Sequence, residues 1–142
     1  MLENVSAVYE TKHWRVIVSN DQDILGRCIV VCADDVGAMG QLTPEQWLDF
    51  GQLTQRLEAA AKKAFGATMC NWTCLMNNAY QNEPPNPHVH WHFRPRYKQT
   101  VQFAGLEFSD PEFGHHYRRS TNRDVGKEAM KKIFEAYKQA VG

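Results

Sequence analysis

The chain has 142 residues, of which 43% are apolar and 23% charged, and its sixteen basic residues balance sixteen acidic ones to a formal net charge of zero. That length suits one domain, 1–142, with its own core. The charge balance argues against a protein that tracks a nucleic-acid backbone, which needs a basic excess or stripe, and no apolar run approaches a membrane span.

The first five residues lack the charged and apolar regions of a secretory signal, so a cytoplasmic location is expected. Residues 7–18 carry a strand signal that ends in Trp14-Arg15-Val16-Ile17-Val18. A polar turn, residues 19–26, follows, and then a continuously apolar run over 28–33 that reads as a strand buried on both faces. The two strands predict a hairpin. Asn20, Asp21 and Asp23 lie in its loop, where two roles are open to them: turn chemistry, or accepting hydrogen bonds from a ribose-like polyol.

Thr43-Pro44-Glu45-Gln46 has the form of a helix start, with a threonine cap, proline in the first turn and glutamine three residues after the cap. Trp47, Phe50, Leu53, Leu57, Ala60 and Ala64 then recur at three- and four-residue steps and predict one buried stripe, with Gly66 as the stop. Residues 67–77 alternate again, with Cys70, Trp72, Cys74 and Met76 on one face and the polar Asn71, Thr73 and Asn77 beside Leu75 on the other. The four cysteines, Cys28, Cys32, Cys70 and Cys74, sit in apolar strand-like runs with three residues between partners instead of the two of a zinc ribbon, and read as buried reduced thiols.

After an asparagine- and proline-rich loop at 78–87 comes the most informative stretch, Pro87-His88-Val89-His90-Trp91-His92-Phe93-Arg94-Pro95-Arg96. Its period of two places His88, His90 and His92 on one strand face and Val89, Trp91 and Phe93 on the other. The apolar face can enter a core while the imidazoles line an open face. Pro95 is expected to end the regular pairing. Alternate side chains stand roughly 7 Å apart at a strand rise of about 3.3 Å per residue, so three ligands from one straight strand would strain a single metal site. A metal held by two neighbouring histidines is one alternative. A row of imidazoles in which the centre performs chemistry and its neighbours orient it and hold substrate fits the spacing better. Arg94, Arg96 and Lys98 could add a local cationic pocket.

Residues 99–103 suggest a further strand, with a break at Ala104-Gly105. Residues 108–123, which include His115 and His116, show no clean period and suggest an ordered loop packed near the histidines. Residues 124–141 predict a second amphipathic helix with Ala129, Ile133, Phe134, Tyr137 and Val141 on its inner side.

His88-Val89-His90-Trp91-His92-Phe93 resembles the signature of the histidine triad superfamily, in which three histidines alternate with apolar residues. The following Arg94-Pro95-Arg96 is more similar to the fragile-histidine-triad and diadenosine-polyphosphate-hydrolase branch than to the Hint branch. The resemblance extends over the hairpin, the capped helix and the two strands after it. It implies an α+β fold, an antiparallel sheet with helices on one face, and a homodimer that extends the sheet. It implies hydrolysis or transfer of a nucleotidyl group at the α-phosphate of a purine nucleotide, with a nucleotide-binding sensor of little turnover as the alternative. His90 matches the nucleophile, His92 the histidine at the scissile phosphate and His88 the one that supports the nucleophile. Asn77 matches a phosphate-contacting amide, and Asn20 or Asp21 the ribose position. Arg27 stands where many members have a fourth histidine; a permanent cation with a fixed donor fork suits phosphate and cannot shuttle a proton. Pro84 and Pro85 stand where members often have glutamine and serine. On this resemblance His92, Asn77, Arg27 and Arg94 are the candidate phosphate donors. No tightly bound cofactor or protein-held metal is expected, although magnesium could accompany a polyphosphate. For attack, one nitrogen of the central imidazole must carry the lone pair, and a backbone carbonyl accepting from the other would fix that tautomer.

Overall fold

The alternation of apolar side chains along three strands builds the centre of the fold. It is seen here in a computed structural model that describes residues 2, 4–118 and 122–142. Among these residues the strands are β1 (Tyr9–Glu10), β2 (Trp14–Val18), β3 (Cys28–Cys32), β4 (Met69–Thr73), β5 (His90–Arg96), β6 (Val101–Phe103) and β7 (Leu106–Phe108), and the helices are α1 (Pro44–Phe65) and α2 (Gly126–Val141). The first five strands form an antiparallel sheet in the order β1-β2-β3-β5-β4. The hairpin runs from Trp14↔Cys32 to Val18↔Cys28, and β5 lies between β3 and β4.

On one sheet face Trp14, Val16, Cys28, Val30, Val89 and Phe93 are fully buried, and both helices pack over that face. α1 forms because its ends are satisfied as well as its stripe. The Thr43 hydroxyl accepts from the Gln46 backbone N–H at 3.2 Å, and the Gln46 side chain accepts from the Thr43 N–H at 2.8 Å. At the other end Gly66 takes the left-handed conformation that closes the helix, φ 76°. From the stripe, Phe50 stacks on Trp91 at 4.7 Å between ring centroids and meets Trp14 and Trp72 at 5.0 and 5.4 Å. Such aromatic pairs contribute about 0.5–1.5 kcal/mol each beyond the area they bury. Trp47, at the rim, remains 38% exposed. α2 closes the end of the sheet: Tyr137 packs edge-on against Phe65, and its hydroxyl donates to the Gly26 carbonyl.

Several boundaries differ from the sequence expectation, each for a local reason. The strand at 7–18 is interrupted because Asp49, on α1, accepts from the Thr11 hydroxyl and the His13 N–H and draws the chain out of the ladder. β4 stops at Thr73, and the chain turns into a short 3-10 segment at Asn77–Gln81; the paired asparagines there favour a turn over a strand. Pro95 does not end the strand. The Arg96 carbonyl accepts from Thr68 on the β4 side, so Pro95's nitrogen faces the other way, past the last β3 pair at Cys28↔Phe93, where no donor is needed. β6 and β7 form a second hairpin whose turn uses left-handed Ala104 and Gly105. The second helix begins at Gly126, and part of the 108–123 stretch, residues 119–121, lies outside the described residues.

Candidate active site

The pairing register puts Ile29 beside His92 and Val31 beside His90 on the face of the sheet away from the helices. Thr73 flanks His92 from β4. Because β4 ends there, the chain from Leu75 to Asn78 rises over the sheet instead of continuing it. It encloses a cavity of about 580 Å³ floored by His88, His90, His92 and Ile29 and walled by Leu75, Asn77 and Asn78, with Asn82 and Asn86 from the following loop. The expected row of three imidazoles on one open face is therefore present, and Asn77 stands above it.

The first two imidazoles have defined tautomers. His90 Nδ1 lies 2.8 Å from the His88 carbonyl oxygen, and His88 Nε2 lies 2.7 Å from the Cys32 carbonyl oxygen. A carbonyl oxygen only accepts, so each of those nitrogens carries a proton and donates. The neutral His90 ring then holds its lone pair on Nε2. Support for His90 comes from the backbone of His88, and the His88 ring is anchored to β3. The His90 and His92 rings meet edge to face at 5.2 Å between centroids.

His92 is different. Its Nδ1 is buried without a hydrogen-bond partner in the protein. Burial, then the neighbouring His90, Arg27 and Arg94, push its imidazole down to about 4, so it is neutral near pH 7. The two arginines do not point their forks into the cavity. Arg27 Nη1 donates to Asp21 Oδ2 at 2.7 Å and to Asp23 Oδ1 at 3.1 Å, and Arg94 donates to both oxygens of Asp23, at 2.7 and 3.4 Å. The ring of Tyr117 covers Arg94 with its centroid 3.9 Å from the guanidinium carbon. Arg96, next along the same face, donates to both oxygens of Asp110 at 2.6 and 3.0 Å, with both side chains almost fully buried. Arg96 also binds the carbonyls of Glu112 and His115, so the loop after β7 is held over this half of the face as an ordered cover.

The structure brings together His88, His90, His92 and Asn77, and it places Arg27 and Arg94 farther along the same sheet face, paired with carboxylates. It does not bring Asn20 and Asp21 to the triad cavity. The β2–β3 loop turns toward α2, where both residues line a separate cavity of about 570 Å³ with Arg123 and Lys127. Asp21 is engaged in that loop, with Oδ1 accepting from the Asp23 and Arg123 backbone N–H groups. Sequence reasoning singled out neither Ile29 and Leu75 as apolar lining nor Asp23 as the bridge between two arginines. The asparagines of the 78–87 loop were the legible sign of a polar mouth. Among the described residues no group of three or more His, Cys, Asp or Glu side chains is arranged to hold a metal ion, and no helix is long and apolar enough to cross a membrane.

Several solved structures share this fold. A hypothetical histidine triad nucleotide-binding protein from Sulfolobus tokodaii superposes with a TM-score of 0.69 at 13% identity, covering 95% of this chain and 82% of that one. A histidine triad protein from Bradyrhizobium japonicum gives a TM-score of 0.67 at 16% identity, with coverages of 99% and 92%. The Caenorhabditis elegans NitFhit protein gives 0.63 at 20% identity, over 94% of this chain and 27% of that larger one. No curated protein matches in sequence. At these identities the structures establish the fold. The sequence itself matches the HIT domain over residues 3–99, the segment that contains the hairpin, the capped helix and the three alternating histidines, and the chain therefore belongs to the HIT domain family.

Proposed function

We propose that the protein is a nucleotidyl hydrolase or transferase. It attacks the α-phosphate of a purine nucleoside polyphosphate of the diadenosine polyphosphate kind, or of a phosphoramidate, through a covalent nucleotidyl-histidine at His90. The observation that carries this reading is the hydrogen bond from His90 Nδ1 to the His88 carbonyl, which leaves the lone pair on Nε2. Membership of the HIT domain family and the name of the Sulfolobus relative, a nucleotide-binding protein, agree with it. A cavity of about 580 Å³ suits a nucleotide-sized ligand. Ile29 and Leu75 offer apolar surface to a base, and Asn77 and neutral His92 offer donors to phosphoryl oxygens, where preorganised hydrogen bonds count most.

Attack forms a bond from His90 Nε2 to phosphorus, and the electron pair of the cleaved bond leaves with the departing group. Water then attacks the same phosphorus, the pair returns to Nε2, and the proton lost by water passes to solvent. The proton stays on Nδ1, donated to the His88 carbonyl oxygen, throughout. This scheme needs no tightly bound cofactor, and magnesium can arrive with a polyphosphate. The same reading includes a homodimer that extends the sheet, for which β4 supplies an edge strand.

Steady-state assays with dinucleoside polyphosphates and phosphoramidates test the proposal. His90→Ala is expected to lower turnover by about 10⁴-fold or more while nucleotide binding persists, the pattern of a lost nucleophile. Saturable binding by the wild type with no turnover of any donor would make the protein a nucleotide-binding sensor instead.

A further inference from the structure

A second cavity opens on the triad face of the sheet, at the margin of the cover formed by the loop after β7. It measures about 370 Å³, and its walls include Asn71 and Thr73 of β4, Arg96 of β5, and His115, His116 and Tyr117 of that loop. Thr73 is paired with His92, which floors the triad cavity. Side chains paired across a sheet stand on one face about 5 Å apart. The two cavities therefore adjoin at this pair, and a molecule that reaches from the triad past His92 toward β4 enters the second.

This second cavity offers no free cation to phosphate. Arg96 supplies the only permanent charge among its described lining residues, and all five guanidinium N–H groups are engaged. Nε and Nη2 donate to Asp110, Nη1 to the Asn71 amide oxygen and the His115 carbonyl, and Nη2 also to the Glu112 carbonyl. What the cavity does offer is flat and uncharged. The His116 ring lies 5.2 Å from that of Tyr117, tilted by 36°, and its Nδ1 is 2.9 Å from the Tyr117 carbonyl oxygen. A carbonyl only accepts, so Nδ1 donates, and in the neutral ring Nε2 is an acceptor. Asn71 gives its oxygen to Arg96, which leaves its amide N–H groups to donate. Rings for stacking, flanked by a donor and an acceptor, match an aromatic base, whose edge carries both kinds of group. The volume falls in the range of small-ligand sites, about 300–1,000 Å³.

We propose that this cavity is a subsite for the far end of a dinucleoside polyphosphate, and that it takes the base of the second nucleoside against His116 and Tyr117. The inference rests on the nucleotidyl-transfer reading above and names the substrate class within it. The phosphate chain lies over the triad, where Asn77 and the imidazoles supply donors, and only an uncharged end suits the neighbouring space. When His90 Nε2 bonds to the α-phosphorus, the bridging P–O bond breaks and its electron pair leaves on the oxygen of the departing nucleoside polyphosphate. The subsite holds that departing half by its base, away from the reacting atoms. Such binding lets the enzyme distinguish a dinucleoside substrate from a mononucleotide with the same phosphate chain.

The test compares two donors that differ only at the far end: diadenosine tetraphosphate, and adenosine tetraphosphate closed by a methyl ester, which has the same charge and no second base. Wild type, His116→Ala and His116→Phe are assayed with both. His116 is exposed, so neither variant disturbs the core. Wild type is expected to favour the dinucleoside in kcat/KM by about tenfold or more, within the roughly five- to hundredfold that stacking one base on an aromatic side chain is worth. His116→Ala should bring the two donors together, and His116→Phe, which keeps a ring and loses the nitrogens, should retain most of the preference. Equal kcat/KM for the two donors in the wild type, or a His116→Ala enzyme with the wild-type ratio, overturns the inference and leaves nucleotidyl transfer intact. Failure of both donors to turn over or to label His90 overturns the underlying reading itself.

Discussion

One face of one strand carries two different regions. From His88 to His92 it floors an open cavity; from Arg94 to Arg96 it is sealed. Both regions are polar, and both follow the same alternation along β5. What separates them is the state of their hydrogen bonds. Arg94 and Arg96 have carboxylates, carbonyls and an aromatic ring against them, so their charge is spent on holding the loops at 19–26 and 110–117 in place. His88 and His90 are oriented by backbone carbonyls through one nitrogen each, which leaves Nε2 of His90 without a backbone partner. A polar row on a sheet becomes a reactive site where its groups are oriented and left unspent, and becomes scaffold where they are satisfied.

The sealed half breaks with the largest effect. Asp110→Asn leaves Arg96 buried and unpaired, and uncompensated burial of one member of an ion pair costs about 3–5 kcal/mol. Chemical denaturation is the check, and a loss within experimental error would show that the pair is not structural. The open half can be sharpened by asking which part of His88 matters. Its carbonyl, not its ring, orients His90. His88→Ala should therefore keep most of the activity that His90→Ala loses, with a fall of about tenfold or less, the worth of one hydrogen bond; equal loss in the two variants would mean that the His88 imidazole takes part directly.

The smallest effect is on stability against pH. The folded chain holds His92 at about 4 against 6.5 for a free imidazole. Between those values the unfolded chain binds a proton that the folded chain refuses. The His92 contribution is thus fully present above about 6.5 and is lost as pH falls toward about 4. For a partly exposed group the screened difference is on the order of 1 kcal/mol. His92→Gln should flatten the fall in stability between neutral and mildly acidic pH. An unchanged slope would contradict the burial of His92 beside His90, Arg27 and Arg94.

The open half was legible in the sequence and the sealed half was not, for a physical reason. The alternation of His88, His90 and His92 with Val89, Trp91 and Phe93, the Thr43–Gln46 cap and the stripe of α1 are local patterns set by strand and helix periods, and the HIT fold agrees with all of them. The pairing of Asp23 with Arg94 spans seventy-one positions, and that of Arg96 with Asp110 depends on where a loop returns to the sheet. Nothing in the neighbourhood of either arginine distinguishes a phosphate ligand from the partner of a distant aspartate. Asn20 shows the same limit, since only the direction taken by the β2–β3 loop decides which cavity it faces. Pro95 stayed in the strand because of which side its nitrogen faced, and that is a property of register.

The central claim is that His90, presented through Nε2, becomes covalently nucleotidylated. Intact-protein mass measured after rapid mixing with a panel of adenosine and guanosine polyphosphates and phosphoramidates tests it most directly, beside His90→Ala. The expected result is a transient gain of one nucleotidyl group on the wild type, absent from the variant, with the best donor naming the substrate class. Turnover of a donor without any adduct, or an adduct that persists in His90→Ala, would contradict it.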